Sequence, residues 1–197
     1  MVNCNAGGTC NGGDPSGVYD WAYHHGIPDS SCEQYTATNL DAQTCDPINI
    51  CRDCTWPPPA VNETGLDKCW AVDYKKYYVS DYYGFSGADK MKAELFKNGP
   101  ISCGLMVTDA FEDYSTGIYS EFSLFPMINH EISIIGWGLE KETNTEYWIG
   151  RNSWGTYWGD YGFFKMMMHK DNLAIETDCT AGIPSFTKVS KKESLVQ

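Results

Sequence analysis

The 197-residue chain lacks several features that mark common classes of binding and membrane protein. No apolar run approaches the roughly 20 residues that a membrane-spanning helix needs. Residues 1–20 have neither the basic start nor the apolar core of a signal peptide. Basic residues are few, since 14 Lys and Arg stand against 26 Asp and Glu and give a net charge of −12. Neither nucleic acid nor a membrane is therefore expected as a partner.

Cysteine, by contrast, is abundant, with nine in the chain. Such density indicates an oxidising compartment and structural disulfides. Zinc is the alternative, because Cys51 and Cys54 form a Cys-x-x-Cys pair with Cys45 and Cys69 nearby. No second Cys-x-x-Cys pair follows, and the surrounding segment is rich in proline. Disulfides are therefore favoured over a metal site, and no metal or cofactor is expected.

The stretch 128–159 has the most specific pattern in the chain. Residues 131–137 are mostly β-branched and apolar, residues 139–146 are polar, and a second strand opens at Tyr147. Two such runs predict an antiparallel hairpin. Folding it about residues 142–143 places His130 across from the neighbourhood of Asn152 and Trp154, at the open end of the hairpin. A side-chain amide can orient a histidine, which can then serve as general base and acid. A hairpin with a buried, hydrogen-bonded histidine is the alternative.

The motifs in and around this hairpin resemble those of the papain-like cysteine peptidases. His130 precedes a strand that reads Ile-Ser-Ile-Ile-Gly-Trp-Gly, and Asn152 lies in Arg-Asn-Ser-Trp-Gly. The run that starts at Cys10, Cys-Asn-Gly-Gly, resembles the substrate segment of that family. Residues 98–102 resemble its central strand, and the resemblance extends from about Asn3 to Phe186. Residues 23–29, 99–104 and 172–176 resemble a carboxypeptidase branch of the family.

The resemblance implies an α+β, papain-like fold with two lobes and a cleft between them. One lobe is mainly helical and is expected to start upstream of this chain. The other is expected to be an antiparallel, barrel-like sheet that carries the His and Asn motifs. Residues 1–186 are predicted to form the peptidase domain and residues 187–197 a polar tail.

Local patterns predict individual elements within that fold. Asp14 as N-cap and Gly26 as terminator predict a helix between them. Ser86 begins a capping pattern for a second helix, which Gly99 ends. Strands are predicted over residues 74–84, 101–108 and 161–168.

The resemblance also implies a role for each candidate site residue. His130 would be the general base and acid, Asn152 would orient it, and Trp154 would cover the bond between them. The residues implied in substrate binding are Gly12 and Gly13, which would pair with the substrate backbone, Asn129 and Trp158 on the leaving-group side, Glu131 and Trp154. Glu131 would favour a basic substrate side chain if it lines the pocket, and a position turned to solvent is the alternative.

The same resemblance implies a disulfide pattern, since the cysteine spacings alone cannot assign the pairs. The implied pairs are Cys4–Cys45, Cys32–Cys51, Cys54–Cys69 and Cys103–Cys179. Cys10 would remain unpaired, because the cysteine that pairs with it in the family has no counterpart upstream in this chain.

The block that carries the nucleophilic cysteine of the family, similar to Cys-Gly-Ser-Cys-Trp, is absent from these residues, as is the oxyanion-hole Gln. The chain is therefore expected to be an N-terminally incomplete cysteine peptidase that is inactive as written. A non-catalytic peptide-binding or regulatory homologue is the alternative.

The expected partners are peptide or protein substrates and cystatin-like inhibitors, with the chain itself a monomer. The Asn62-Glu-Thr sequon is a candidate glycosylation site and agrees with a lysosomal or extracellular location.

Overall fold

A computed structural model describes residues 1–33, 35, 44–55, 68–170 and 172–189. Asn62 and residues 190–197 of the predicted tail lie outside the described residues. The chain divides into two compact units, one formed by residues 1–81 with the C-terminal segment from Ile183, the other by residues 82–182. No helix in the described ranges is long and apolar enough to cross a membrane.

Four α-helices, eleven strands and two short 3-10 helices, Val2–Cys4 and Asn172–Ala174, are described. The helices are α1 (Pro15–His25), α2 (Pro47–Ile50), α3 (Ala88–Asn98) and α4 (Asp109–Glu112). The strands are β1 (Gly8–Thr9), β2 (Gly12–Gly13), β3 (Arg52–Cys54), β4 (Cys69–Ala71), β5 (Tyr78–Phe85), β6 (Ile101–Leu105), β7 (Ile118–Tyr119), β8 (His130–Glu140), β9 (Thr145–Arg151), β10 (Phe163–Met167) and β11 (Cys179–Ser185).

Helix α1 confirms the prediction from its terminal residues. The Asp14 carboxylate accepts a hydrogen bond of 2.7 Å from the Ser16 backbone N–H, which satisfies one of the free donors of the first turn. Pro15 occupies the first helical position, where no backbone donor is needed. Gly26 ends the helix at a positive φ of 73° that other residues rarely adopt.

A seven-stranded sheet dominates the second unit, in the order β5-β11-β6-β8-β9-β10-β7. Helix α3 contributes Met91 and Leu95 to a core that also contains Ile134 and Trp148 from the sheet. Within the described ranges the sheet is open, because its edge strands β5 and β7 do not pair with each other. One pair, β7 with β10, is parallel. The predicted α+β, papain-like class is confirmed, with an open sheet in place of a closed barrel.

Several element boundaries differ from their sequence predictions. The strand predicted over residues 74–84 begins only at Tyr78, and the one predicted over 161–168 is limited to Phe163–Met167. The N-cap of α3 is Gly87 and makes no side-chain capping bond, so the predicted Ser86 cap is wrong. The Gly87 N–H instead donates to the backbone oxygen of Glu176 at 2.8 Å. Strand β6 ends at Leu105, three residues early, because its partner β8 begins at His130, the residue paired with Leu105.

Four disulfides join the described cysteines in the pairs that the resemblance implied. Three lie in the first unit, Cys4–Cys45, Cys32–Cys51 and Cys54–Cys69, and the fourth, Cys103–Cys179, lies in the second. The last of these links β6 to β11 at directly opposed positions. Within the described residues, no group of three or more metal-ligating side chains is arranged to hold an ion.

Candidate active site

The β8–β9 hairpin carries a one-residue irregularity that the sequence analysis did not anticipate. Pairing runs without a shift from Glu140–Thr145 to Gly136–Ile149. Between Ile134 and Gly136 the register shifts, so that Ile134 pairs with Gly150. Ile135 is therefore an extra residue on β8, a β-bulge. Gly136 beside it was the available signal, since a glycine within a strand often marks a bulge.

This bulge decides which side chains meet at the open end of the hairpin. Cross-strand partners share one face of a sheet, and successive residues alternate between faces. Continuing the turn-proximal register would pair Ser133 with Asn152 and put Asn152 on the face opposite His130. The shift pairs Ser133 with Arg151 instead, so Asn152 lies on the His130 face.

His130 and Asn152 are joined by a hydrogen bond of 2.8 Å between the ring Nε2 and the amide Oδ1. The same Oδ1 also accepts the backbone N–H of Ser153 at 2.8 Å. A backbone N–H can only donate, so this amide atom must be the oxygen. An amide oxygen can only accept, so Nε2 of His130 carries a proton. Nδ1 is then the ring nitrogen with a free lone pair in the neutral imidazole.

Burial and a backbone hydrogen bond fix the position of Asn152. Its side chain is buried, and its backbone N–H donates to the oxygen of Gly162 at 2.9 Å. The amide Nδ2 is buried and has no partner among the described residues. A buried donor without a partner is costly, so the position is maintained by the surrounding structure.

Trp154 lies against the His130 ring, with ring centroids 4.9 Å apart and planes tilted by 33°. Trp158 meets Trp154 edge-on at 5.0 Å. The ring of the fully buried Phe111 lies beside both indoles, with centroids 6.3 Å from that of Trp154 and 5.3 Å from that of Trp158. The indole N–H of Trp158 donates to the backbone oxygen of Glu112 at 2.8 Å. The histidine is thus backed by an aromatic cluster that extends to the core.

The other two predicted site residues of this unit flank His130. The Asn129 Oδ1 accepts from the Val107 N–H at 2.7 Å, and its Nδ2 donates to the Val107 oxygen at 3.2 Å. The Asn129 side chain therefore makes to the Val107 backbone the two hydrogen bonds that a paired strand residue would make. Glu131 is exposed and lies one residue from His130, on the opposite face of β8.

The glycines and the free thiol of the Cys-Asn-Gly-Gly run belong to the first unit. Gly8 pairs with Gly13 in the β1–β2 ribbon. A Cβ on Gly13 would come within 2.5 Å of the Gly7 oxygen, and Gly12 adopts a φ of 124°. Both glycines are thus required by the ribbon itself. Cys10 is exposed and forms no disulfide.

The sequence profile described as papain family cysteine protease matches residues 1–183. The chain belongs to this family, and the membership predicted from its motifs is confirmed.

Curated relatives and a solved structure agree with this assignment. The chain is 41% identical over 192 residues to cathepsin Z of Onchocerca volvulus, covering 93% of this chain and 58% of the relative. It is 30% identical over 185 residues to cathepsin B-like protease 1 of Arabidopsis thaliana, covering 92% of this chain and 46% of that one. The structure of procathepsin B S9 from Trypanosoma congolense matches with a TM-score of 0.70 and 25% identity, over 93% of this chain and 58% of that chain. The chain thus spans about half the length of the curated relatives it matches.

Proposed function

We propose that this chain carries the histidine and asparagine of a cysteine-type peptidase, and that its activity is of the carboxypeptidase kind associated with cathepsin X, also called cathepsin Z. The observation that supports this most strongly is the His130–Asn152 bond, whose proton position follows from the Ser153 N–H. The 41% identity to a cathepsin Z supports the choice within the family.

In the first half of the proposed reaction, His130 accepts a proton and then donates the same proton to the leaving group. With Nε2–H donated to Asn152, the lone pair of Nδ1 takes the proton of a thiol, and the thiolate attacks the substrate carbonyl. The imidazolium then gives that proton to the leaving amine as the peptide bond breaks and a thioester forms. Water hydrolyses the thioester with His130 again as base. Asn152 holds the ring in position, and Trp154 shields the bond between them from water.

We further propose substrate-binding roles for the remaining site residues. Gly12 and Gly13 would pair with an extended substrate backbone, and Trp158 and Asn129 would border the leaving group. The substrates would be peptides or proteins and the inhibitors cystatin-like. The protein would act as a monomer in a lysosomal or extracellular setting, and the four disulfides support an oxidising compartment.

The polypeptide of these 197 residues is proposed to be inactive by itself. All nine cysteines lie in the described residues, and eight are in disulfides. Cys10, the ninth, lies in a glycine-rich ribbon. The favourable placement for a nucleophilic cysteine is a helix N-terminus, which lowers the pKa of a thiol. A non-catalytic peptide-binding homologue is the second candidate.

The test incubates the 197-residue chain with fluorogenic peptides and, separately, with an epoxide thiol-trap followed by mass spectrometry. We expect no turnover and no rapid labelling of Cys10. Turnover that disappears in a Cys10→Ser variant would overturn the proposed inactivity.

The transcript upstream of the Met1 codon separates the two candidate functions. A reading frame that continues into a Cys-Gly-Ser-Cys-Trp-like block favours the peptidase. In that longer product, His130→Ala should lower kcat by about a thousandfold or more. An in-frame stop directly before Met1 favours the non-catalytic homologue.

A further inference from the structure

Five large apolar side chains are exposed within seven consecutive residues that end two positions before His130. Phe122, Leu124, Phe125, Met127 and Ile128 have exposed fractions of 71%, 76%, 87%, 77% and 42%. Isolated exposed apolar residues are normal on protein surfaces, whereas a contiguous group marks a site of interaction. Residues 122–128 are called the apolar loop below.

The start of the apolar loop is anchored to buried structure. The Oδ1 of Asn172, a residue only 1% exposed, accepts the backbone N–H of Glu121 and the hydroxyl of Ser120, each at 3.0 Å. The Glu121 carboxylate accepts the Thr108 hydroxyl at 2.7 Å. The chain therefore enters the loop from a defined position beside the end of β6.

The end of the loop is held by β6 and by the residues that directly follow it. The Ile128 side chain packs so closely over Gly104 that a Cβ there would lie 2.6 Å from the Ile128 Cγ2. The Asn129 amide makes its two bonds to the Val107 backbone directly afterwards. The apolar side chains are thus presented to solvent between two fixed ends.

The chain segment that contains the apolar loop carries acidic residues and no basic ones. From Asn98 to Glu140 the sequence contains six Asp and Glu and not a single Lys or Arg. Asp109 and Glu112 are exposed on α4, which begins directly after Thr108. Glu121 and Glu131 flank the loop and His130. An apolar surface framed by carboxylates complements a partner that is itself apolar and positively charged.

We infer that the apolar loop is a docking surface for a segment of the peptide substrate that combines large apolar side chains with Lys or Arg, outside the bond that is cleaved. This rests on the proposed function, which makes the substrate a peptide. The loop continues directly into Asn129 and His130, so a peptide held on it is delivered beside the histidine. The loop carries the apolar contacts, and the flanking carboxylates select the charge.

Binding is measured with the whole 197-residue chain by fluorescence anisotropy, using fluorescein-Gly-Phe-Lys-Leu-Arg-Phe-Gly-amide. Two twin peptides separate the two parts of the recognition. One has Glu in place of Lys and Arg, and the other has Ser in place of Phe and Leu. We expect each twin to bind about tenfold more weakly. Raising the salt concentration should weaken the binding of the two peptides that carry Lys and Arg and should not weaken the binding of the Glu twin.

The decisive comparison is between two matched exposed phenylalanines. Phe125 and Phe96 are each 87% exposed, but Phe96 lies on α3 and is not part of the apolar loop. Phe125→Ser combined with Leu124→Ser should weaken binding at least about fivefold, whereas Phe96→Ser should leave it within about twofold. Circular dichroism confirms that each variant is folded.

Equal effects of the two serine variants, or no binding of the basic peptide, would overturn the docking surface. A dimer in sedimentation that dissociates in the Leu124→Ser and Phe125→Ser variant would also overturn it, since a second copy would then occupy the loop. The readout is binding and not turnover, so a chain without peptidase activity still tests the inference, and a failure here leaves the roles of His130 and Asn152 untouched.

Discussion

The His130 ring and the Asn152 amide share one face of the β8–β9 hairpin because a single extra residue, Ile135, shifts the register between them. Without the bulge the two side chains would face opposite sides of the sheet. The catalytic pairing proposed for this chain therefore depends on a local irregularity of the strand, and the hydrogen bond of 2.8 Å is its direct consequence.

The first prediction concerns the proton on His130. Because the Asn152 Oδ1 accepts from Nε2, the neutral ring should be almost wholly the Nε2–H tautomer, which ring ¹⁵N chemical shifts report. Asn152→Ala removes an acceptor with a net value of about 1 kcal/mol and should yield a mixture of tautomers. His169→Gln, a change at another histidine of this unit, is the control and should leave the His130 signals in place. A dominant Nδ1–H form in the unaltered chain would contradict the proposed role of Nδ1 as the base.

The second prediction tests the close packing behind the hairpin. A Cβ on Gly150 would lie 2.1 Å from the ring carbon Cζ of Phe164, which is fully buried and cannot move aside. Gly150→Ala should lower the free energy of unfolding by about 3 kcal/mol. On the facing strand a Cβ on Gly136 would meet its nearest atom, the Cδ1 of Ile149, at an ordinary contact distance of 4.0 Å. Gly136→Ala should therefore stay within about 1 kcal/mol of the parent. Denaturant unfolding measures both, and similar losses would show that the Phe164 contact is not the cause.

The third prediction concerns the disulfide of the second unit. Cys103 and Cys179 are buried and 76 residues apart in sequence, so their bond removes much freedom from the unfolded chain. Replacing both cysteines by Ala should lower the free energy of unfolding by about 4 kcal/mol, as measured by denaturant unfolding. Cys10→Ser is the matched control, since Cys10 is exposed and unpaired, and it should leave stability unchanged. A destabilising Cys10→Ser change would instead indicate that this thiol has a structural partner.

The fourth prediction concerns acid stability. Hydrogen bonds from Lys92 and His169 lower the pKa of the Glu146 carboxyl. A carboxyl with a lowered pKa stabilises the fold above its unfolded pKa of about 4.3, and this contribution is lost as the pH falls through the folded value. At pH 7, Glu146→Gln should lower the free energy of unfolding by less than about 1 kcal/mol, because the side chain is 39% exposed. At the acid end of the pH series, where the carboxyl is protonated, the substitution should leave the free energy of unfolding unchanged.

Glu142→Gln is the control for this acid-stability experiment, as an exposed carboxylate in the turn of the same hairpin. Urea unfolding at a series of pH values from about 7 to 3 provides the comparison. Parallel stability curves for the parent and Glu146→Gln would show that the Lys92 and His169 contacts contribute nothing to the pH dependence.

Several elements follow from the sequence because their causes are local. Asp14, Pro15 and Gly26 act within one or two turns of the helix they delimit, so α1 could be predicted together with its cap. The polar turn between two apolar runs likewise predicted the hairpin, whose closing pair Glu140–Thr145 surrounds the expected centre.

The alternating apolar pattern of β8 is compatible with either register, and Gly136 is the one residue in it that indicates a bulge. Pairing on both sides of β8, with β6 and with β9, selects between the two. The cap of α3 differed for a similar reason, since Gly87 donates to Glu176, a residue far away in sequence.

By itself the sequence determined the family, the hairpin and the identity of the two residues proposed for catalysis, since motif and periodicity are properties of neighbouring residues. Only the tertiary structure decided that His130 and Asn152 share a face, which ring nitrogen carries the proton, and that residues 122–128 stay exposed between fixed ends. Those outcomes depend on strand register and on contacts with distant residues such as Asn172 and Val107. Such contacts form only when the chain has folded, and no local pattern specifies them.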